Sequence, residues 1–379
     1  MNNIPRYIEK DLTDSIVNLN KVIIIYGARR VGKTTLVEHI LKKLDYKILY
    51  INGDEIKYRD ILSSGNFSKL DSLTHGYELI FIDEAQRIKD IGINLKILVD
   101  KSPDLKIVVT GSSSVGIANS ISESLAGRDW VYNLYPISFL ELSQETNNFF
   151  LNDQLEERLI FGSYPEIFSL GNSMDRITYL KQLSESVLYK DIFELQSIKH
   201  HEKVRDLLKL LSFQVGSEVS INELSNQLSL DNDTISRYID LLEKSFIIFR
   251  LHGLSKNLRK EVRQKDKIYF YDNGIRNAII DNFKFIKDRD DIGKLWENFL
   301  ISERIKLISY KKRYLSQYFL RTYTKVEIDY IEDYQGTLSA YEIKWGDKMV
   351  QAPRYWKENY PKSNFSLINK DTYIDFITK

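Results

Sequence analysis

Residues 21–37 read Lys-Val-Ile-Ile-Ile-Tyr-Gly-Ala-Arg-Arg-Val-Gly-Lys-Thr-Thr-Leu-Val, and this stretch decides the fold of the amino-terminal part of the chain. The apolar, β-branched run at Val22–Tyr26 predicts a buried parallel strand. Residues 27–34 complete the G-x-x-x-x-G-K-S/T phosphate loop, and an amphipathic helix is predicted to follow them. A glycine turn with a surface lysine is the simpler alternative, but the position between a clear strand and a helix favours a nucleotide site.

The residue types in this loop suit a bound triphosphate. A glycine-rich turn lets consecutive backbone N–H groups point at the phosphates, and the amino terminus of the following helix adds positive potential. Lys33 would reach the β- and γ-phosphates, and the Thr34 hydroxyl would hold Mg²⁺. The sequence therefore predicts ATP and Mg²⁺ as cofactors. The predicted nucleotide-binding residues in the loop are Gly27, Arg30, Gly32, Lys33, Thr34 and Thr35.

The composition excludes several classes of protein. A chain of 379 residues exceeds one ordinary core, so two or three domains are expected. The formal net charge of +1 gives no global attraction to nucleic acid, so any such surface must be local. The absence of cysteine excludes disulfides and thiolate zinc sites. With no visible signal peptide and no apolar run of about 18 residues, a cytoplasmic protein with no membrane partner is expected.

Strands alternate with helices from residue 22 to residue 134. This alternation predicts an α/β fold with a parallel sheet and helices on both faces. Ligands in such sheets bind beyond the carboxyl ends of the strands. The predicted strands cover residues 22–26, 47–51, 79–84, 106–110 and 130–134.

Asp83 and Glu84 end the apolar third strand, downstream of the phosphate loop. Asp83 is the carboxylate that would hold Mg²⁺ beside Thr34, which is the Walker B pattern. Glu84 would act as the base that orients and deprotonates the attacking water. Ser112 follows the next strand, where it could touch the γ-phosphate or the water. Two solvated acids and a serine-rich turn are the alternative interpretation.

Arg128 follows a predicted helix and precedes the last strand of the predicted sheet. An arginine there could stabilise the charge that develops on the phosphates, either in its own chain or in a neighbouring subunit of a homo-oligomer. A solvated arginine is the alternative.

The chain becomes helical from residue 138, and residues 203–251 then form a smaller unit. Its two helices, the Ser220 cap with Glu223 and the strand at residues 246–251 predict a winged helix-turn-helix. The densest basic stretch, residues 256–267, follows directly. It could neutralise phosphates of DNA or RNA without reading bases, although a solvated loop or a protein contact is also consistent. The predicted nucleic-acid contacts are Lys256, Arg259, Lys260 and Arg263.

Several motifs occur in an order that resembles the prokaryotic AAA-superfamily ATPases with a carboxy-terminal domain of unknown function. The resemblance extends over nearly the whole chain and implies that this last domain is similar to the PD-(D/E)XK restriction-nuclease fold. The motifs are Gly-Ala-Arg-Arg-Val-Gly-Lys-Thr-Thr at 27–35, Phe-Ile-Asp-Glu-Ala-Gln at 81–86, Gly-Ser-Ser-Ser at 111–114, Leu-Ala-Gly-Arg at 125–128, Pro-Ile-Ser-Phe at 136–139, Gly-Ser-Tyr-Pro at 162–165, Asn-Leu-Arg-Lys at 257–260 and Lys-Ile-Tyr-Phe-Tyr-Asp-Asn-Gly-Ile at 267–275.

Four residues in the last third carry the chemistry that this resemblance implies. Glu342 and Lys344 lie two residues apart on a predicted strand and therefore share one face. Asp329 lies opposite them if the chain turns at Gln335-Gly336, and Glu297 lies on a long predicted helix. Carboxylates that hold Mg²⁺ beside a lysine are what phosphodiester hydrolysis requires. We expect Glu297, Asp329 and Glu342 to be metal ligands, with Glu327 as a substitute for Asp329, and Lys344 to be catalytic. Alternating charges on a solvated strand are the alternative.

The sequence thus predicts an AAA-like P-loop core at residues 1–136, a helical lid at 137–200, a winged helix at 201–255 and an α+β, restriction-nuclease-like domain at 256–379. The favoured function is an ATPase whose nucleotide state controls the later domains on nucleic acid. A scaffold ATPase that binds proteins, or a transcriptional regulator, would share the same core.

Overall fold

A five-stranded parallel sheet organises the first part of the computed structural model, which describes residues 4–112, 124–187, 200–255, 265–346 and 349–379. Its strand order is β2-β3-β4-β1-β5, with all neighbours parallel, which confirms the predicted α/β architecture. The predicted boundaries agree with the observed ones to within one residue. The strands are β1 (Val22–Tyr26), β2 (Ile48–Asn52), β3 (Leu79–Asp83), β4 (Lys106–Gly111) and β5 (Asp129–Asn133).

Helices cover both faces of this sheet, because its central strands carry apolar side chains on both sides. In β1, Ile23 and Ile25 pack into one hydrophobic cluster and Val22 and Ile24 into another, as the alternation of side chains along a strand requires. The first helix begins at Glu9, so Pro5 precedes it instead of lying in its first turn. The helices of this part are α1 (Glu9–Asn18), α2 (Lys33–Leu41), α3 (Ile56–Leu62), α4 (Phe67–Thr74) and α5 (Ile91–Lys101).

Three helices follow the sheet at the place predicted for a helical lid: α6 (Phe139–Glu145), α7 (Asn148–Phe161) and α8 (Ser173–Val187). Ser138 and Glu141 form a capping box that starts α6. The carboxy-terminal end of the helix predicted at 174–195 lies outside the described residues.

Three further helices precede a pair of antiparallel strands. They are α9 (His201–Phe213), α10 (Ile221–Leu228) and α11 (Asn232–Lys244), and the strands are β6 (Ile248–Gly253) and β7 (Lys267–Phe270). Ser220 caps α10 as predicted, but the Glu223 carboxylate accepts a hydrogen bond from Gln227 instead of completing a capping box. This order of elements agrees with the expected winged helix, and the assignment stays a prediction.

The second sheet continues across the predicted domain boundary at residues 255 and 256. Its order is β11-β10-β9-β8-β6-β7, so β6 pairs with both β7 and β8. One hydrophobic cluster contains residues from Ile8 to Ile377 and joins the predicted units. The added elements are β8 (Ser316–Arg321), β9 (Glu327–Tyr334), β10 (Thr337–Ile343), β11 (Asn364–Ile368), α12 (Asn273–Ile279), α13 (Ile292–Tyr310), α14 (Arg354–Asn359) and α15 (Tyr373–Thr378).

The predicted hairpin at Gln335-Gly336 is confirmed. Tyr334 pairs with Thr337, and both turn residues have positive φ, at 52° and 83°, as a two-residue hairpin turn requires. Among the described residues, no helix is both long and apolar enough to cross a bilayer.

Candidate functional site

The phosphate loop joins β1 to α2, as predicted, at the carboxyl edge of the first sheet. A Cβ atom at Gly27 would collide with the backbone oxygen of Leu134, so this close approach requires glycine. The buried Lys33 ammonium donates hydrogen bonds to the backbone oxygens of Gly27 and Ala28, at 2.8 and 2.9 Å. The lysine therefore lies folded inside the loop whose phosphates it is predicted to bind.

Thr34 and Asp83 lie together at the same edge. The Thr34 hydroxyl donates to one Asp83 carboxylate oxygen at 2.9 Å, and Thr110 donates to the other. A hydroxyl and a carboxylate in direct contact are the pair of oxygen ligands that Mg²⁺ takes in a phosphate-loop site. The donor set fits the predicted metal at this position.

Glu84 is held by Gln86, which belongs to the motif at residues 81–86 and has no predicted role. Gln86 donates from Nε2 to the Glu84 carboxylate and to the Ser112 hydroxyl, the latter at 2.9 Å. The Ser112 amide donates back to Gln86 Oε1 at 3.4 Å. Glu84 itself has a φ of 52°, an uncommon conformation that points to a constrained site. Gln86 thus connects the predicted base to the residue predicted to contact the γ-phosphate.

A cavity of about 970 Å³ lies over the loop, and its volume suits a nucleotide-sized ligand. Arg29, Arg30, Lys33 and Thr35 line the side formed by the loop, and residues of the predicted lid line the other side. The cavity brings together loop residues and lid residues that are more than a hundred positions apart. The lid residues that line it include Pro165, Glu166, Phe168, Ser169 and Tyr179.

Arg128 lies at the amino edge of the first sheet, where its parallel strands begin, and not at the carboxyl edge that carries the phosphate loop. Its backbone oxygen accepts from the Val22 amide at the start of β1, so it is about 16 Å along the strand from the phosphate loop. Its guanidinium is paired with Asp100 at 2.6 Å. This placement corrects the expectation of a role in its own chain's site, because parallel strands carry the two groups to opposite edges. A role in a neighbouring subunit stays a prediction.

An acidic cluster lies between α13 and the second sheet, where the metal site was predicted. Lys267 from β7 is buried within it, with Nζ 2.7 Å from Glu327 and 3.5 Å from Glu297. Tyr269 also donates to Glu297, at 2.7 Å. Burial raises the pKa of Glu297 to about 7; Lys267 opposes this shift, and Asp329 adds to it.

Asp329, Glu342 and Lys344 form the other half of this cluster. Lys344 Nζ lies 2.7 Å from Glu342 and 3.4 Å from Asp329, and the Asp329 carboxylate also accepts from the Ile343 amide at 2.8 Å. The predicted residues are therefore close together on neighbouring strands.

The geometry of the whole cluster does not match the predicted metal site at Glu297, Asp329 and Glu342. Within the described ranges, no group of three or more histidine, aspartate or glutamate side chains is arranged to hold a metal ion. The physical reason is Lys267, because its ammonium forms ion pairs with Glu297 and Glu327. No sequence spacing indicated this lysine, because α12, α13 and β8 separate β7 from β9 in the chain.

The predicted nucleic-acid contacts Lys256, Arg259, Lys260 and Arg263 lie outside the described residues. Their role stays a prediction.

Three family models match successive parts of the chain. An AAA domain matches residues 19–143, and two domains of unknown function, DUF8612 and DUF4143, match residues 152–285 and 292–373. The DUF8612 match, like the second sheet, crosses the predicted boundary at residue 255.

Similar proteins include an uncharacterised protein of Methanocaldococcus jannaschii, 26% identical over 79% of this chain and 69% of its own length. An uncharacterised protein of Mycobacterium tuberculosis is 26% identical over 85% of this chain and 70% of its own length. Among solved structures, a Walker-type ATPase of Pyrococcus abyssi is 16% identical, with a TM-score of 0.43 over 72% of this chain and 94% of that one. AMPPCP-bound DnaA of Aquifex aeolicus is 16% identical, with a TM-score of 0.32 over 64% of this chain and 89% of that one. The AAA domain match over residues 19–143, together with the loop that β1 and α2 frame, supports a P-loop ATPase of the AAA type.

Proposed function

We propose that the chain binds ATP with Mg²⁺ at the loop of residues 27–34 and hydrolyses it there. The observation that carries the proposal is the constellation at one sheet edge. Lys33 lies inside the loop, Thr34 contacts Asp83, and Glu84 is held next to Ser112 through Gln86.

Each group has a separate role in the proposed reaction. Lys33 leaves the carbonyl groups of its own loop and binds the β- and γ-phosphates. Thr34 and Asp83 hold Mg²⁺, which neutralises developing negative charge on the phosphates when bound. Glu84 accepts a proton from the attacking water, and Ser112 contacts the γ-phosphate or that water.

Equilibrium binding of ATP and Mg²⁺-dependent release of phosphate test this proposal on the full chain. Lys33→Ala should lose nucleotide binding, whereas Lys42→Ala, a change of an exposed lysine at the carboxy-terminal cap of α2, should leave it intact. Equal binding by the two variants would rule out the loop as the site.

We further propose that the nucleotide state changes the arrangement of the carboxy-terminal half. Support comes from the hydrophobic cluster that includes Leu36 of α2 and Phe299 of α13, because a lid movement would be felt across this shared core. The scaffold alternative has the same mechanical coupling, but its partner would be a protein.

Nucleic acid is a second candidate partner, favoured by the helices α10 and α11 followed by the antiparallel pair β6 and β7. The basic residues between these strands would contact phosphates. Replacing Arg259, Lys260 and Arg263 together should weaken duplex DNA binding and reduce its salt slope by about two to three units, at about 0.9 per lost contact. An unchanged slope would favour the scaffold alternative. Metal-dependent cleavage is not part of the proposal, since no group of three or more histidine, aspartate or glutamate side chains in the described part of the chain is arranged to hold a metal ion.

A further inference from the structure

Arg6, which precedes α1, makes hydrogen bonds to four distant parts of the chain. Its guanidinium donates to the Val31 oxygen at 2.7 Å, the Tyr135 oxygen at 2.6 Å, the Glu141 carboxylate at 2.8 Å and the Tyr310 hydroxyl at 3.3 Å. These acceptors belong to the phosphate loop, the end of the first sheet, the lid helix α6 and the end of α13. One buried side chain therefore touches the nucleotide site and the carboxy-terminal half.

The position of Arg6 is fixed by a buried ion pair. Glu141 is fully buried, and its other oxygen accepts from the Ser138 amide and hydroxyl at 2.8 and 2.9 Å. The Tyr7 amide donates to the oxygen that also receives Arg6. A carboxylate with this many donors does not move freely, so it holds the guanidinium in one place.

The contact with Val31 orients the phosphate loop. In a trans peptide, the carbonyl group of one residue and the N–H of the next point in opposite directions. Arg6 binds the carbonyl oxygen of Val31 from one side, and it therefore directs the Gly32 N–H to the other side. A phosphate-binding loop needs its N–H groups directed at the anion and its carbonyl groups directed away.

We propose that Arg6 is a positioning residue that sets the phosphate-binding conformation of the loop and connects it to α13. The inference rests on the proposed nucleotide site and adds its coupling to the rest of the chain. The Tyr310 hydroxyl accepts hydrogen bonds from Arg6 and from the Tyr135 amide, the latter at 3.2 Å. The Tyr310 ring stacks on Tyr7. A change in the loop is thereby transmitted to the last residue of α13.

Arg6→Lys tests the positioning role. Lysine keeps the charge for Glu141, but its donors all lie on one nitrogen, so it cannot reproduce the four hydrogen bonds that the three guanidinium nitrogens make to separate acceptors. Loss of a charge-assisted hydrogen bond at the loop should weaken ATP binding about tenfold.

Arg289→Lys is the matched control for this variant. Arg289 is equally buried and donates to the Asn282 oxygen at 2.8 Å and to Asp291 at 2.8 Å, away from the loop. Both variants should lower the melting temperature, but only Arg6→Lys should raise the Kd for ATP. Wild-type Kd in a folded Arg6→Lys protein would overturn the inference, whereas no ATP binding by the wild type would overturn the proposed function itself.

Tyr310→Phe tests the connection to α13, because it removes the hydroxyl and keeps the ring. Hydrogen exchange of the α13 amides should change when Mg²⁺ and a non-hydrolysable ATP analogue bind to the wild type. In Tyr310→Phe this change should fall by at least half. An undiminished change, or no change in the wild type, would overturn the connection.

Discussion

The Asp272 carboxylate accepts a hydrogen bond from the Ser163 amide at 2.7 Å and thereby joins segments 109 residues apart. Positions 162 and 274, which flank this contact in the two segments, have room only for glycine. A Cβ atom at Gly162 would collide with the Asp272 carboxylate, and one at Gly274 would collide with the Phe161 oxygen. Two motifs quoted from the sequence, at residues 162–165 and 267–275, thus form a single contact between the lid and α12.

Gly162→Ala should destabilise the protein strongly. Gly162 has a φ of 68° in a region that other residues rarely adopt, and its Cβ would displace Asp272 from its hydrogen bonds. We expect a loss of at least about 2 kcal/mol, measured by chemical unfolding. Gly171→Ala is the control, since no atom lies within 4 Å of its Cβ position. Similar losses in both variants would show that the contact with Asp272 contributes little.

Glu84→Gln should separate binding from hydrolysis. The variant keeps the shape of the side chain and leaves Thr34 and Asp83 to hold the metal, but it removes the base. We expect ATP affinity close to that of the wild type and a kcat about 100-fold lower. Glu55→Gln, at an exposed site before α3, should change neither value. A wild-type kcat in Glu84→Gln would show that another group activates the water.

The parts of the site that lie close together in the chain could be predicted from the sequence. Lys33, Thr34 and the strand before them form one local unit. Asp83 ends another strand of the same parallel sheet, and because ligands bind at the carboxyl edge of such a sheet, its position beside Thr34 could be predicted. Arg128 shows the limit of local reasoning. Its place before a parallel strand already puts it at the amino edge, as observed, and whether another subunit brings it to a nucleotide depends on contacts between chains, which leave no pattern in one sequence.

Lys267 and Arg6 could not be assigned from sequence patterns. Lys267 meets Glu327 only because β6 pairs with β7 on one side and with β8 on the other. Arg6 meets Tyr310 across 304 residues. Neither contact produces a periodic pattern in the sequence, because both depend on how whole helices and strands pack together.

The stability of the protein should depend on the ionisation of Glu297. Its pKa is raised in the folded protein to about 7, chiefly by burial, from about 4.3 in an unfolded chain. The folded state therefore binds the proton more tightly, and the contribution to stability is full below pH 4.3 and lost as the pH rises to about 7. In that interval the free energy of unfolding should fall with pH, with a slope that approaches about 1.4 kcal/mol per pH unit. Glu297→Gln should flatten this slope in urea unfolding, and Glu223→Gln at an exposed site should not. A slope that persists in Glu297→Gln would assign the titration to another group.

The last prediction concerns the ammonium group of Lys267 in the acidic cluster. Lys267→Met leaves Glu297 and Glu327 without their cation, and we expect a loss of about 3 kcal/mol. The vacated position should then accept a divalent ion, because a carboxylate cluster without a cation repels itself. The effect of Mg²⁺ on stability should be compared with and without Lys267→Met in full-length protein that also carries Asp83→Asn, because this second change removes the metal site of the phosphate loop.

In that background, 10 mM Mg²⁺ should stabilise Lys267→Met by about 1.4 kcal/mol, as expected for a Kd near 1 mM, and should have little effect when Lys267 is present. Lys306→Met is the matched control. Lys306 is equally buried and pairs with Glu303 at 2.6 Å, outside the acidic cluster, so its loss should lower stability without creating a response to Mg²⁺. If Mg²⁺ stabilised the protein equally with Lys267 present, the ammonium would not occupy the cation position, and the metal site predicted from Glu297, Asp329 and Glu342 would regain its support.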